Sequence, residues 1–287
     1  MPPQPADQQD FEFVVKGDRI YRYEFVGRKR THVRTSTDAV TWSERTPIYR
    51  EPFWLWGVTY DEKTDLFWCA AHAIPRAGTS EERQIHLVQS KDGIQWDFVD
   101  QVVPYNNASE SILRIDGDRT MTIVIRRKHG SSCSVAVGQP PYTEWEITSR
   151  PMIAEGEHFY EIAGKTFMTS RAAYKGNDKR VLSNPKIYGS RRAYSMIYHM
   201  TPKREFVPWA TMDSMGDSSY PCLLETKEGI LCVYYSQHED HVSKIFLCLY
   251  DKPEFLAGPR DSDQHLTSGL PAEVTEEDST AKCIVLA

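Results

Sequence analysis

The sequence lacks the long apolar segments that membrane proteins and secretory precursors carry. Its 287 residues include no run of about 18 apolar residues, the length that a membrane-spanning helix needs. The first residues, Met1 to Pro5, are polar and proline-rich, without the apolar core of a signal peptide. We therefore expect no membrane partner, and a protein that is either cytoplasmic or the processed form of a secreted chain.

Basic residues are also fewer than acidic ones. The chain has 34 Lys and Arg against 40 Asp and Glu, a net charge of −6. No basic stripe is evident along the sequence, which argues against nucleic acid and against an anionic membrane surface as partners. The composition leaves the oligomeric state open.

The six cysteines include no Cys-x-x-Cys pair and no Cys/His group with zinc spacing. We therefore predict no metal and no cofactor. Cys69, Cys232 and Cys248 each lie within an apolar run. This placement predicts buried free thiols and fits a reducing compartment.

Short strand-like segments separated by turns fill the chain from Phe11 to Tyr250. No segment keeps the 3.6-residue apolar period of a helix over three turns. Groups of four strands recur roughly every 45–60 residues, as in a propeller. The pattern predicts an all-β, five-bladed β-propeller, with a six-bladed propeller as the alternative. Aromatic residues make up 11% of the chain, which suits pleated sheet faces and equally a pocket that stacks sugars.

The expected domain organisation is simple. Residues 1–10 are expected to be disordered, residues 11–257 to form the single propeller domain, and residues 258–287 to be an acidic tail. The fifth group of strands lacks a fourth member, so either Phe11–Lys16 or the apolar C-terminal end of the tail would close the propeller. Two long loops, residues 74–83 and 171–192, interrupt the repeat, and loops of this length are usually functional or disordered.

Two turns share the spacing Ser-x-Asp-x-x-x-Trp, at residues 36–42 and 90–96. Ser and Asp side chains hydrogen-bond turn amides, and the Trp packs between strands. Here the sequence resembles the Asp-box of sialidases and the similar turn of five-bladed glycoside hydrolases. The motif is expected to be structural, so neither Asp38 nor Asp92 is placed in the active site.

A Glu that opens one strand and an Arg that ends the next occur twice, as Glu110 with Arg126 and Glu155 with Arg171. The first pair resembles a sialidase segment in which the Glu polarises a nucleophilic Tyr and the Arg grips the substrate carboxylate. The second resembles the Glu-Gly-Pro segment of five-bladed furanosidase-type glycosidases, whose Glu is the general acid, with Glu157 in place of the Pro. Alternatively both pairs are structural, because charges at the narrow end of a propeller are costly unless paired.

Tyr220 follows a Gly-Asp-Ser-Ser turn and opens an apolar strand. Together with Arg192 upstream, it resembles the sialidase stretch that carries a substrate arginine before the catalytic Tyr. A Tyr with a pKa of about 10 needs a carboxylate to take its proton, and Glu110 or, second, Asp217 is the candidate. Alternatively Tyr220 packs on Pro221 and stabilises the turn.

The sialidase Phe-Arg-Ile-Pro start and an acid/base Asp in a loop are missing from the chain, so two other functions stay open. One is a polysaccharide or uronate lyase that uses His158 or a Tyr as base while Arg neutralises the carboxylate. The other is a non-catalytic propeller that binds glycan or protein.

The favoured prediction is a sialidase-like glycoside hydrolase that cleaves an anionic or polyhydroxylated sugar in a pocket on the propeller axis. Its partner would be a carbohydrate or another small-molecule substrate. The catalytic candidates are Tyr220, Glu110, Glu155, Glu157 and Asp217. The substrate-binding candidates are Arg126, Arg171, Arg192, His158 and Trp54.

Overall fold

The computed structural model of the chain describes residues 8–27, 30–74, 83–103, 107–127, 132–173, 193–212, 214, 218–238, 242–258 and 281–286. The chain divides into two compact units, residues 1–151 and 152–287. Two predicted site residues, Arg192 and Asp217, lie outside the described residues, as do most of the two long loops. The assignment of residues 11–257 to one domain stays a prediction.

The first unit contains three antiparallel sheets whose strands follow one another along the chain. The first sheet consists of β1 (Gln8–Lys16), β2 (Arg19–Val26), β3 (Arg30–Ser36) and β4 (Thr46–Pro47). The second consists of β5 (Phe53–Trp54), β6 (Thr59–Asp61), β7 (Leu66–Ala73), β8 (Ile85–Ser90) and β9 (Asp97–Val103), with both β5 and β6 paired to β7. The third consists of β10 (Ala108–Ile115), β11 (Met121–Arg127), β12 (Cys133–Gly138) and β13 (Glu146–Arg150).

The second unit contains two further antiparallel sheets. One consists of β14 (His158–Ile162), β15 (Lys165–Ala173), β16 (Ala193–Met200) and β17 (Phe206–Thr211). The other consists of β18 (Ser219–Glu225), β19 (Ile230–Ser236), β20 (Lys244–Tyr250) and β21 (Ala281–Leu286). The C-terminal strand β21 is thus the fourth strand that the fifth group lacked, while β1 belongs to the first sheet.

These five sheets confirm the prediction of an all-β fold with five blades, and the six-bladed alternative is not observed in the described part of the chain. Each blade takes its strands from one stretch of chain, although the pairing of β20 with β21 in the fifth blade spans more than thirty residues. The strand β1 begins at Gln8, three residues before the predicted start. No helix in the described part of the chain is long and apolar enough to cross a bilayer.

The core of the first unit is built around β7, which is buried on both of its faces. Successive side chains of a strand point to opposite faces of the sheet. Phe67 and Cys69 therefore pack into a cluster with Tyr21 of the first sheet, while Trp68 and Ala70 pack into a different cluster that includes side chains of the third sheet. The second sheet is the middle layer of this unit.

The core of the second unit joins its two sheets and a short helix, α1 (Lys252–Ala257), which the sequence analysis did not predict. Phe255 on this helix packs with Phe167 and Phe246, one from each sheet. The helix begins after Asp251, whose side chain accepts a hydrogen bond from the Glu254 amide at 3.0 Å. Such an N-cap, with a proline in the first turn, starts a helix too short to show an apolar period.

The apolar stretch from residue 54 to residue 60 does not form one continuous strand, because it is divided between β5 and β6. Gly57 has a φ of +67°, and a Cβ added there would lie 2.8 Å from the side chain of Ile112. The Gly57 amide donates to the Glu12 carboxylate at 2.6 Å, and the Leu55 amide donates to the Thr31 hydroxyl at 2.9 Å. At this point the backbone amides bind side chains of the first sheet instead of the backbone of a neighbouring strand.

The cysteines agree with the sequence analysis except at one position. Cys69 and Cys232 are buried free thiols, as predicted. Cys248 is disulfide-bonded, and the antiparallel register of β20 and β21 sets its backbone opposite Cys283. The prediction of a free thiol at Cys248 is therefore wrong. It was based on the apolar run around Cys248 alone, whereas the strand opposite Cys248 comes from the far end of the chain.

The two Ser-x-Asp-x-x-x-Trp turns have the same internal hydrogen bonds. In the second turn, Asp92 Oδ1 accepts from the amides of Ile94 and Gln95, both at 2.8 Å, and the Trp96 indole donates to the Gly93 carbonyl at 3.2 Å. Asp38, the counterpart of Asp92, accepts from two amides in the same way, and these bonds lower its pKa to about 2. The motif orders the turn locally, and this geometry alone does not distinguish one propeller family from another.

We predict that Asp92→Ala lowers the free energy of unfolding by about 1 kcal/mol, because two turn amides lose their acceptor. Asp97→Ala, an exposed Asp at the start of β9, is the matched control and should change stability by less than about 0.5 kcal/mol. Urea unfolding followed by tryptophan fluorescence measures both. Equal effects of the two substitutions would contradict a structural role for the motif.

Candidate functional site

The predicted site residues fall into two clusters, one in each unit. Glu110, Arg126 and Trp54 lie in the first unit. The second unit holds the larger share: Glu155, Glu157, His158, Arg171 and Tyr220.

The Arg171 guanidinium organises the cluster of the second unit. Its Nη1 binds the Glu155 carboxylate at 2.9 Å, its Nε donates to the Ser218 carbonyl at 2.7 Å, and its Nη2 donates to the Tyr235 hydroxyl at 3.1 Å. The Arg171 side chain is 10% exposed and that of Glu155 is 24% exposed. Arg171 is thus fixed from three directions, and the carboxylate of Glu155 still reaches solvent.

The backbone at Glu155 is fixed as well. Its amide donates to the Ser170 hydroxyl at 3.0 Å, and its carbonyl accepts from the Arg171 amide at 2.9 Å. The Ser219 hydroxyl donates to the same carbonyl at 3.4 Å. Residues of β15 and β18 therefore position Glu155 ahead of the strand β14, which gives its carboxylate a defined location.

Tyr220 has a strained backbone. Its φ is +53°, in the left-handed region, and it lies where the register of β18 and β19 shifts between Ser219 and Cys222. This conformation costs a residue with a Cβ roughly 1–2 kcal/mol, and such strain concentrates at functional positions. The bulge turns Tyr220 out of the regular alternation of the strand.

The Tyr220 ring lies between Gly156 and Tyr235. A Cβ added to Gly156 would come within 2.8 Å of this ring, so the glycine backbone packs directly against it. The ring centre of Tyr235 is 6.0 Å away. Tyr220 is therefore joined to the Arg171 cluster through Tyr235, whose hydroxyl binds the guanidinium. Its part in chemistry stays a prediction.

Glu157 and His158 flank this cluster along the chain. Glu157 is fully buried, and His158, half-buried, pairs with Thr169 at the first position of β14. Glu155, Glu157 and His158 thus stand within four residues of chain, but they differ in exposure. Of the two carboxyl groups, that of Glu155 is the accessible one.

In the first unit, Arg126 Nη1 binds the Glu110 carboxylate at 2.6 Å. The pair lies where the register of β10 and β11 shifts between Ala108 and Ser111. The Glu110 side chain is 10% exposed and that of Arg126 is 21% exposed. Mutual pairing of Glu and Arg was one of the two interpretations of these motifs, and both pairs form in the structure.

Trp54 and His72 are opposite each other on β5 and β7, with ring centres 5.2 Å apart. Both are buried, and Trp54 also stacks on Phe25 at 5.0 Å. Burial, with the positive charges of Arg83 and Arg126, lowers the pKa of His72 to about 3. His72 is therefore a neutral imidazole next to the Glu110–Arg126 pair.

Three residues of these clusters were missed by sequence reasoning: Tyr235, His72 and Arg83. Tyr235 and His72 sit inside apolar strands and have no motif around them. Arg83 ends the long loop at residues 74–83, and the loop length was the one signal that pointed to it.

No protein-family model and no curated protein matches the chain. Solved structures do match. A protein of unknown function from Dyadobacter fermentans is 14% identical with a TM-score of 0.61, over 83% of this chain and 74% of that one. A GH32 beta-fructofuranosidase from Bombyx mori is 11% identical with a TM-score of 0.55, over 84% and 60%. An alpha-L-arabinofuranosidase from Clostridium thermocellum is 12% identical with a TM-score of 0.52, over 88% and 92%. At such identities the similarity shows the fold, a five-bladed β-propeller.

We predict that Gly156→Ala destabilises the protein more than Gly164→Ala. Both glycines have a positive φ, +61° and +75°, so both substitutions strain the backbone, but only the methyl group at position 156 meets neighbouring side chains, the Ser219 hydroxyl and the Tyr220 ring. The clash should add about 1–3 kcal/mol to the loss in the free energy of unfolding. Urea unfolding of the two variants measures the difference, and equal losses would show that both of these side chains move aside without cost.

We predict that stability falls between pH 7 and pH 5 because His72 stays neutral when folded. Its folded pKa of about 3 is below its usual 6.5, so the unfolded state binds the proton first as the pH drops. The stabilisation is complete above pH 6.5 and is lost on acidification. His72→Gln should remove about 2 kcal/mol of this pH 7 to pH 5 loss.

Urea titrations at the two pH values measure this difference. His86, whose pKa burial and Arg50 lower to about 4, contributes equally in both proteins. A pH dependence that is unchanged in His72→Gln would show that His72 is protonated in the folded state.

Proposed function

We propose that the chain is a glycoside hydrolase whose proton-transfer residue is Glu155. The observation that carries the proposal is a Glu–Arg pair at the start of the first strand in two successive blades, with the Glu155 carboxylate fixed by Arg171 and still 24% exposed. The fold supports it, because the fructofuranosidase and the arabinofuranosidase above share the propeller.

Glycosidic bond cleavage uses one carboxyl group as proton donor and a second carboxylate as base or nucleophile. Glu155 is the best candidate for the first role, because it combines solvent access with a fixed backbone and a fixed ion pair. Glu157 in the same unit is the candidate for the second role. Arg171 is a positioning residue in this scheme, since its guanidinium holds Glu155.

A narrower proposal is a sialidase-like enzyme that acts on an anionic or polyhydroxylated sugar, with Tyr220 as nucleophile. Two observations favour Tyr220: its left-handed backbone and its contact with Gly156, the residue after Glu155. A carboxylate thus stands one residue away from the backbone against which the Tyr220 ring packs. Such a carboxylate is what a phenol needs to become nucleophilic.

A panel of aryl glycosides, neutral and uronic, tests the broad proposal. Wild-type protein should release the aryl group from at least one member, and Glu155→Gln should lower kcat/KM by at least about 100-fold, because the general acid–base group is lost. Glu146→Gln makes the same change at an exposed position of β13 and should keep full activity. No turnover by the wild type, or full turnover by Glu155→Gln, would overturn the proposal.

Tyr220→Phe tests the narrower proposal on the same substrates. Removing a nucleophilic hydroxyl should lower kcat by at least about 100-fold, whereas a ring that only packs on Gly156 keeps its contacts in Phe. Full activity of this variant would assign the nucleophile or base to a carboxylate instead. Sugar binding without turnover by the wild type would favour the non-catalytic propeller.

A further inference from the structure

We propose that one face of the first sheet is a second carbohydrate site, which holds a uronate-bearing polysaccharide through Arg22, Arg34 and the aromatic rings beside them. This surface, the arginine face, is the one opposite to the core that the first sheet shares with the second. The inference rests on the proposed function in so far as it takes the ligand to be a polysaccharide. It adds a binding surface that none of the sequence motifs contained.

Strand alternation defines the arginine face. Tyr23 of β2 is buried in the core cluster shared with the second sheet, so its neighbours Arg22 and Glu24 point to the opposite face. Residues directly opposite each other on paired strands share a face, and Arg22 is paired with Phe13 on β1 and with Arg34 on β3. A row of side chains therefore crosses the sheet from an aromatic ring to two guanidinium groups.

A single buried carboxylate holds the arginines of this face together. Glu24 is fully buried, and its Oε1 lies 2.8 Å from Arg22 Nε and 3.8 Å from Arg34 Nε. Its Oε2 lies 2.9 Å from the Nε of Arg45, which comes just before β4. The three arginine side chains remain 20%, 32% and 26% exposed. Glu24 therefore fixes the guanidinium groups, while the exposed parts of these side chains stay accessible to a ligand.

The positive charge on this face exceeds the negative charge. In the described part of the chain, Glu24 is the only ion-pair partner of Arg22 and of Arg34. One carboxylate cannot balance two guanidinium groups, so one positive charge is surplus even when Arg45 is left out of the count. An oxyanion fits such a surface, because guanidinium donors match the oxygens of a carboxylate in pairs.

The electrostatics at His32 agree with this charge balance. His32 lies opposite Glu24 on the arginine face and is half-buried. Burial is the largest cause that lowers the pKa of His32, and the charges of Arg45 and Arg30 lower it further, each by more than Glu24 raises it. The arginines therefore outweigh the carboxylate at this point of the face.

Exposed aromatic rings lie next to the guanidinium groups. Phe11 and Phe13 of β1 are 42% and 54% exposed, with ring centres 5.3 Å apart. The ring centre of Trp42 is 6.0 Å from that of Phe13. The Arg22 guanidinium lies over the rings of Phe11 and Trp42, at 4.9 and 5.7 Å from their centres. Adjacent exposed rings of this kind mark binding surfaces.

A polysaccharide with carboxylates along its length matches this combination. The C–H faces of its sugar rings are apolar and can cover the aromatic rings, while its carboxylates pair with the guanidinium groups. Rings and arginines lie on neighbouring strands about 4.8 Å apart, so the site is an open sheet surface that suits an extended chain. A neutral chain would remove water from the guanidinium groups without supplying charge, which disfavours it.

Isothermal titration with polygalacturonate, neutral galactan and poly-L-glutamate tests the proposal without any turnover. Wild-type protein should bind polygalacturonate at least about 10-fold more tightly than galactan, and added NaCl should weaken this binding. Arg34→Gln should lower the affinity for polygalacturonate at least about 5-fold, because a charge-assisted contact is lost. Phe13→Ala should lower it at least about 3-fold, because an exposed ring no longer packs on the sugar.

Two matched controls make similar changes elsewhere in the chain. Phe98→Ala removes a ring that is 52% exposed on β9, and Lys227→Gln removes a positive charge from the exposed turn between β18 and β19. Both should keep the wild-type affinity for polygalacturonate. Unfolding midpoints show which variants are folded. Phe13 is not part of the ion-pair cluster, so Phe13→Ala tests the face even if Arg34→Gln unfolds.

No binding of polygalacturonate, or binding of galactan with equal affinity, would overturn the proposal. An unchanged affinity in a folded Arg34→Gln or in Phe13→Ala would do so as well. Poly-L-glutamate that binds as tightly as polygalacturonate would also overturn it, because the face would then suit an acidic protein rather than a sugar chain.

The outcomes separate this inference from the proposed function. Arg34-dependent binding of polygalacturonate by a protein that hydrolyses no glycoside supports the arginine face and overturns the hydrolase. Glu155-dependent hydrolysis by a protein whose affinity for polygalacturonate does not depend on Arg34 does the reverse.

Discussion

The buried guanidinium of Arg171 is the interaction on which the candidate site of the second unit depends. It links Glu155 ahead of β14, Ser218 ahead of β18 and Tyr235 on β19, at distances of 2.7–3.1 Å. A guanidinium is costly to bury unless its donors are used, so loss of any one partner leaves a desolvated group behind. The three segments are therefore fixed as a set, and the position of Glu155 follows from the position of Arg171.

The sequence was sufficient to predict what depends on neighbours along the chain. Alternating strands, glycine turns and the Ser-x-Asp-x-x-x-Trp turns all act within about ten residues, and these gave the all-β fold and its five blades. The break at Gly57 could not be predicted, because the amides of residues 55 and 57 bond to Thr31 and Glu12 from another sheet. Strand β21 was recognisable as apolar, but its place beside β20 depends on a contact across more than thirty residues of chain.

The residues of the candidate sites also differ in whether they could be predicted, depending on whether their contacts are made along the chain or between distant strands. Both Glu–Arg pairs could be anticipated, since a glycine turn brings the two partners face to face on adjacent antiparallel strands. Tyr235 and Arg83 could not, because each reaches its cluster through the packing of one strand or sheet against another. The residues around Tyr235 do not distinguish it from an ordinary core residue of an apolar strand. In the same way, the residues around Arg83 do not distinguish it from a solvated Arg at the end of a loop.

The two Glu–Arg pairs look equivalent in sequence, yet their surroundings make them chemically different. Arg171 binds the Glu155 carboxylate and also the hydroxyl of Tyr235. The side chain of Glu155 is 24% exposed, whereas that of Glu110 is 10% exposed. The more exposed carboxylate is the one suited to exchange a proton with a substrate. One repeated motif therefore presents two carboxylates that differ in accessibility, because the packing around the motif rather than its own residues sets their exposure.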